Sequence, residues 1–312
     1  MAKGNLQKPI YAIVGPTASG KTEIGVELAL RIGGEITNCD SVQIYKEIQI
    51  ATAKPSIEEM RGVPHHLIDY VSPNVNYTAA NWVSDATLKI REIEARNNVP
   101  ILVGGTGFYL RSLRQPFFES PKTDEKLRKK LTLLKDEKGA EYLYKILKRV
   151  DAKAAAKLFP RDYVRVMRAL EVRFQMGKSI SELQPNRTAP PEFAARIKIF
   201  ALGPPRANLY RLINERAEKH FQKGLVEEVK LLRLRGVKDD SNALGAHGYR
   251  RVCEFLRGER DLESAIEQTK QDVRNYAKRQ MSWFRRESGV EWLEGFGGDV
   301  EIQQKLLQKI KL

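Results

Sequence analysis

Along residues 9–115, short continuous apolar runs alternate with stretches in which apolar side chains recur every three or four positions. Ile10-Tyr11-Ala12-Ile13-Val14 reads as a buried strand, closed by Gly15-Pro16. A helix opens near Gly20-Lys21-Thr22, carries Ile24, Leu28 and Ile32 at one-turn spacing, and stops at Gly33-Gly34. Residues 35–40 predict a second strand. Residues 81–96 predict a helix with Trp82, Ala86, Ile90 and Ile93 on one side. Val99-Pro100-Ile101-Leu102-Val103 is another buried strand, running into Gly104-Gly105-Thr106-Gly107. Strands that are apolar on both faces and separated by helices imply a parallel sheet covered on both sides.

From 116 to 191 the pattern changes. No run there is strand-like, whereas 124–134, 139–150, 152–158 and 163–176 have helical periodicity, and Pro185, Pro190 and Pro191 punctuate a linker. Ile197-Lys198-Ile199-Phe200-Ala201-Leu202 then reads as a strand returning to the sheet, and 206–312 reads as helical with charged faces. The expectation is an α/β core of residues 1–115 and 192–312 interrupted by an all-helical insertion, 116–191.

Composition narrows the class. The 312-residue chain is 42% hydrophobic, enough for a sizeable core. No run of about 18 uncharged apolar residues exists, so no membrane association is expected. The first nine residues lack the apolar segment of an export signal, and two cysteines, Cys39 and Cys253, cannot form a disulfide framework. A soluble cytoplasmic protein is expected. The formal net charge of +15 is uneven, since residues 122–178 alone hold 17 basic against 8 acidic side chains. A basic middle after a nearly neutral first third suggests a polyanionic partner for the later part; a solvated lysine-rich surface is the alternative.

Gly15-Pro16-Thr17-Ala18-Ser19-Gly20-Lys21-Thr22 fits G-x-x-x-x-G-K-[ST] between a strand and a helix. Glycines at those positions let backbone amides turn inward around a phosphate, Lys21 reaches its outer oxygens, and the Thr22 hydroxyl can ligate Mg²⁺. The helix N-terminus adds partial positive charge. The motif fits any di- or triphosphate. An ATPase of this kind usually carries a second acid after a later apolar strand, but Ile101-Leu102-Val103 leads into glycines, and Asp69 in Leu67-Ile68-Asp69 is a weak substitute. Those glycines predict either a close backbone approach to a ligand or a tight turn.

Asp40, at the carboxyl end of the second strand, lies on the edge where open α/β sheets bind ligands. It reads as a general base or as a helix N-cap. Gln43 reads as a base-edge contact or a solvated side chain. His65 and His66 point to opposite faces of an extended segment and are read as structural. In 161–173, Arg161, Arg165 and Arg168 share a face; in 270–286, Lys270, Arg274 and Lys278 form a stripe near Arg279, Arg285 and Arg286. Such spacing follows a phosphate backbone or makes a solvated face. Tyr276, Trp283 and Phe284 interleave with the second stripe, the last two read as core residues rather than platforms for bases.

Taken together, GPTASGKT (15–22), DSVQIYKEIQIATAKP (40–55), GVPHHLID (62–69), GGTGFYLRSL (104–113), RDYVRVMRALEV (161–172) and VRNYAKRQMSWFRR (273–286) resemble the tRNA dimethylallyltransferase, or tRNA isopentenyltransferase, family over nearly the whole chain and in the same order. The resemblance implies a P-loop NTPase-like fold and transfer of a dimethylallyl group from dimethylallyl diphosphate to the exocyclic amine of the adenine 3′ to a tRNA anticodon, with Mg²⁺ as cofactor. By the same resemblance, residues 15–22 would bind the diphosphate, Thr22 the metal, and Arg216 would reach the diphosphate. Asp40 would take the amine proton, and Ser41, Val42, Gln43 and Thr106 would lie against the flipped nucleotide. Arg161, Asp162, Tyr163, Val164 and Arg165, with Arg274, Lys278, Arg279 and Gln280 of the 273–280 helix, would hold the anticodon stem-loop. Ala51 stands where the family commonly has glycine, and residues 241–250 differ from the shorter Gly-Tyr motif of the family. With no zinc finger at the carboxyl end, the chain is expected to be the compact bacterial form, acting as a monomer. The competing classes are a P-loop small-molecule or nucleotide kinase, which has no need of a basic insertion, and a non-catalytic RNA-binding module, which has no need of Lys21, Thr22 and Asp40 together.

Overall fold

The computed structural model describes residues 8–118, 121–185 and 187–311. The chain divides into two compact units, one running to Leu113 and resuming at Pro191, the other Arg114–Pro190.

The first unit opens with β1 (Ile10–Val14), α1 (Lys21–Ile32), β2 (Gly34–Asn38), the short α2 (Ile57–Met60), β3 (His65–His66), α3 (Ala79–Ala95), β4 (Val99–Gly104) and α4 (Gly107–Arg114). It resumes with β5 (Ile197–Leu202) after the second unit. The six strands are all parallel, in the order β3-β2-β4-β1-β5-β6. Every residue of β1, β2 and β4 is buried, as expected of strands with both faces covered by helices. Alternation along the strands splits the core in two. Ile10, Ala12 and Val14 pack with Trp82, Ala86 and Ile90 of α3 on one face. Tyr11, Ile13 and Ile101 pack with Ile24 and Leu28 of α1 on the other. The predicted strand at 197–202 pairs with β1, placing Ile13 opposite Phe200.

The second unit holds α5 (Glu125–Lys138), α6 (Ala140–Val150), α7 (Ala152–Ala155), α8 (Tyr163–Met176) and α9 (Ile180–Leu183). Leu131, Leu143, Leu147, Val166 and Leu170 form its core. Inside it, Glu171 is fully buried and accepts two hydrogen bonds from Arg128, at 2.6 and 3.0 Å, and one from Arg168 at 3.2 Å.

The first unit then continues through α10 (Arg206–Gln222), α11 (Leu225–Leu234), α12 (Tyr249–Leu256), α13 (Leu262–Phe284), β6 (Val290–Leu293) and α14 (Val300–Ile310). The expectation that 206–312 is wholly helical is corrected by β6. This four-residue edge strand pairs with β5 and includes a charged residue, so it lacks the length and apolar continuity that mark β1 and β4. Among the described residues, no helix is long and apolar enough to cross a membrane.

Candidate active site

At the carboxyl edge of the sheet lies a cavity of about 780 Å³, walled by residues 17–22, by 40–43 and by side chains of α10 and α13. That volume lies in the range of small-ligand sites.

The loop leaving β1 forms one wall. Gly15 and Gly20 take φ of 142° and 82°, which glycine adopts without strain. Ala18, at φ 63°, does so only under constraint. Gly20 caps α1 with no side-chain hydrogen bond, so the first-turn N–H groups are left for a ligand. Ser19, fully buried, donates from Oγ to Pro16 O at 2.8 Å, and Lys21 Nζ donates to the same carbonyl at 2.7 Å. Burial, the largest influence on Lys21, lowers its pKa to about 8; Asp40 pulls it up and Arg216 pushes it further down.

Arg216, on α10, donates from Nη2 to Thr17 Oγ1. Burial lowers its pKa, opposed by the charge of Asp40. One turn further, His220 also lines the cavity, and burial followed by Arg216 and Lys223 drives its pKa down to about 4. Burial and Asp40 push the Tyr276 hydroxyl up, with Thr106 opposing.

The Asp40 carboxylate accepts from the backbone N–H of Val42 at 2.9 Å, so it caps its own turn as well as facing the cations. The Ser41 N–H donates to Thr106 Oγ1 at 3.0 Å, joining the ends of β2 and β4. Gln43 Nε2 donates to Thr52 O and Ala53 O at 3.2 and 2.7 Å, which orients its amide and leaves Oε1 to accept.

The glycines that end and follow β4 make room for protein neighbours. A Cβ on Gly104 would lie 2.1 Å from Cys39 O, one on Gly105 2.0 Å from Gln280 Nε2, and one on Gly107 2.2 Å from the Trp283 ring. Gln280, expected among the RNA contacts, is 4% exposed. It accepts from Thr17 N–H at 2.8 Å and donates to Gly105 O at 2.9 Å, so both ends of its amide already knit two loops together. The predicted Lys270 stripe is likewise corrected. Lys270 is buried and paired with Glu218 and Glu267 at 2.5 and 2.6 Å, leaving Lys278 and Arg279 exposed on that helix and Arg274 bound to Asn214 at 2.5 Å. Phe284 is core, as expected, and Trp283 packs at its margin. Asp69 pairs with Lys54 Nζ at 2.6 Å and is not part of the cavity wall. His66 lies 2.6 Å from Glu35.

The structure therefore brings Thr17–Thr22, Asp40, Ser41, Val42, Gln43, Arg216 and Gln280 to one cavity, with Thr106 just behind Ser41. Gly15 and Pro16 form the base of the loop. Within the second unit, Asp162 caps α8, and Arg161, Tyr163, Val164 and Arg165 are exposed beside it. Sequence reasoning missed His220 and His247 as cavity residues. The one available signal was the four-residue spacing of His220 from Arg216 on a helix.

Residues 43–287 match the model of the IPP transferase family. The chain is 44% identical over 303 residues to the tRNA dimethylallyltransferase of Koribacter versatilis, covering 97% of this chain and 98% of that protein. It is 46% identical over 285 residues to that of Geobacter metallireducens, covering 91% and 92%. A crystal structure of the full-length tRNA isopentenylpyrophosphate transferase from Bacillus halodurans superposes with a TM-score of 0.71 at 37% identity, covering 98% and 97% of the two chains. A eukaryotic dimethylallyltransferase acting on tRNA gives 0.80 at 26% identity, covering 96% and 78%. The chain belongs to the IPP transferase family, the enzymes named tRNA dimethylallyltransferases.

Proposed function

We propose that this enzyme transfers a dimethylallyl group from dimethylallyl diphosphate to the exocyclic amine of the adenine 3′ to the anticodon of tRNA, releasing diphosphate. The observation that carries the reading is the placement of a phosphate loop, two half-buried cations and a carboxylate around one cavity. The loop amides, Lys21 and Arg216 bind the diphosphate of the donor. As the bond from the allylic carbon to oxygen breaks, negative charge gathers on the departing diphosphate, and fixed donors in a water-poor cavity stabilise it. The adenine nitrogen attacks that carbon, and Asp40 accepts the proton the amine loses.

The Gln43 Oε1 suits a donor on the edge of the flipped base, which Ser41, Val42 and Thr106 flank. A base in a single-stranded loop leaves its stack at small cost. Arg161 and Arg165, with Tyr163 and Val164 between them, and Arg274, Lys278 and Arg279 on α13 supply phosphate contacts along the anticodon stem-loop.

Mg²⁺ fits this site as part of a metal–diphosphate complex. Thr22 offers one hydroxyl, and among the described residues no group of three His, Cys, Asp or Glu side chains could hold a metal alone. Thr22 would hold the cation through its hydroxyl, with the diphosphate as its partner. When bound, it neutralises charge on the leaving diphosphate. A tRNA substrate supports a cytoplasmic location, and the enzyme is proposed to act as a monomer.

The test incubates protein, Mg²⁺, dimethylallyl diphosphate and unmodified tRNA, then digests the RNA and analyses nucleosides by mass spectrometry. A dimethylallyl adenosine that disappears with Lys21→Ala is the expected result. No modified nucleoside, together with phosphate transfer from ATP to a small acceptor, would refute the reading in favour of a kinase.

A further inference from the structure

A turn at the far end of the chain touches the phosphate loop backbone to backbone. Gly297 N–H donates to Ser19 O at 2.8 Å. A Cβ on Gly297 would lie 2.2 Å from Gly20 O and 2.8 Å from Gly20 C, and a Cβ on Gly20 would lie 2.9 Å from Gly297 N. No side chain fits between the two segments.

We propose that the 296–298 turn, between β6 and α14, is a positioning element for the diphosphate: it holds the Ser19–Gly20 peptide in the orientation that aims the Gly20 N–H into the cavity. The inference rests on the reading of the loop as the diphosphate cradle. In a trans peptide the carbonyl and the following N–H point in opposite directions. Tethering Ser19 O outward to Gly297 therefore directs Gly20 N–H the other way, and both Ser19 and Gly20 line the cavity.

The turn is itself braced from both sides. Phe296 N–H donates to Asp299 Oδ2 at 3.0 Å, and Gln303 Nε2 donates to Gly297 O at 2.9 Å. Phe296 packs against the same small cluster of Leu209, Ile213 and Ala277 as Ala18, the residue whose positive φ needs support. Ile302 and Leu306 of α14 anchor the segment in the same core face as Ile24 and Leu28 of α1. With Gln280 holding Thr17 N–H from the opposite direction, the loop is clasped on two sides. The family match, residues 43–287, includes neither the loop nor the turn.

The test measures binding of inorganic diphosphate with Mg²⁺ by calorimetry, alongside donor KM, kcat and tRNA affinity, for the full-length protein and for Gly297→Ala and Gln303→Leu. The alanine must displace Gly20; the leucine removes a brace without adding an atom to the loop. We expect Gly297→Ala to weaken diphosphate binding and raise donor KM by about tenfold or more, with kcat at saturating donor within about threefold and tRNA affinity unchanged, the pattern of lost ground-state binding. Gln303→Leu should move the same two quantities by about threefold and serves if the alanine variant does not fold. Unchanged diphosphate binding in folded variants would overturn the proposal. So would parallel loss of diphosphate and tRNA binding in step with melting temperature, which marks a merely structural role. Failure of the unaltered protein to bind diphosphate would instead overturn the phosphate-loop reading, and this inference with it.

Discussion

Replacing Gln280 separates a residue that reads RNA from one that knits the active site. Its amide accepts from the partly buried Thr17 N–H and donates to the buried Gly105 carbonyl. Gln280→Leu keeps the volume and removes both partners. A buried polar group left without a partner costs about 1–3 kcal/mol. Water reaches Thr17 more readily than Gly105, so the pair should total about 3 kcal/mol, or about 5 °C in melting temperature for a domain of this size. The functional effect follows from Thr17, whose hydroxyl accepts from Arg216: a loosened Thr17 releases the guanidinium proposed to bind the diphosphate, and donor KM should rise while tRNA affinity holds. Gln280→Glu is the sharper probe. It keeps an acceptor for Thr17 but sets a carboxylate against Gly105 O and close to the phosphates, so donor KM should rise more than with leucine. Gly105→Ala attacks the same contact from the other side, because its Cβ would lie 2.0 Å from Gln280 Nε2. Thermal melts, donor kinetics and tRNA binding on the three variants decide the matter. If Gln280→Leu melts like the unaltered protein, keeps its donor KM and loses tRNA affinity tenfold, the side chain touches RNA and the reasoning fails.

Acid stability should depend on Glu35, 3% exposed at the sheet's edge. Burial pushes its carboxyl up, but hydrogen bonds from Arg96, Asn98 and His66 outweigh that and hold it at about 2. A depressed carboxyl stabilises the fold above its unfolded value near 4.5 and loses that contribution as pH falls toward 2. About 3 kcal/mol is present at pH 7, and more than half is gone by pH 3. Urea unfolding should show the gap between the unaltered protein and Glu35→Gln narrowing over that window, and a pH-independent gap would contradict the assignment. In the helical unit, Glu171→Gln takes the Glu171 carboxylate away from Arg128 and Arg168. Both guanidiniums are about a third exposed, so the loss should be about 2 kcal/mol rather than the larger figure for fully buried pairs. Faster proteolysis and hydrogen exchange within residues 114–190 would register it, and unchanged protection would contradict it.

What the chain discloses to a reader follows the physics of each element. β1 and β4 stand out because both faces are buried and nothing charged interrupts them, β5 because Lys198 alone breaks its apolar run, and α8 is bounded by its Asp162 cap and Gly177. β6 escapes notice because an edge strand needs only one apolar side. The phosphate loop is legible because its chemistry is confined to eight consecutive residues. Asp40 and Gln43 are legible from their place after the second strand, but His220, His247 and Tyr276 are not legible as cavity residues, since they reach it from α10, the 241–248 segment and α13, with no spacing to connect them. The glycines at 104, 105 and 107 advertise a close approach without naming the partner, which proves to be Cys39, Gln280 and Trp283. Helical spacing shows that Lys270 and Arg274 share a face, but not that Glu218 and Asn214 of α10 wait opposite.

The charges of the cavity explain why such a site can bind a polyanion yet leave the chemistry to a carbon–oxygen bond. Lys21 and Arg216 are both shifted toward their neutral forms by burial, and Asp40 is the one carboxylate that pulls each of them back. His220, which a lone anion nearby would protonate, is instead held neutral beside Arg216. The protein thus keeps two cations in a low-dielectric wall with a single counter-charge, an arrangement that is unfavourable by itself and relieved when a multiply charged ligand enters. A growing negative charge on a departing group is met by the same cations at the moment of bond cleavage. A kinase site must in addition stabilise charge on the group being transferred. In the proposed reaction the group that moves is apolar, so the positive charge of Lys21 and Arg216 would serve the diphosphate that is left behind.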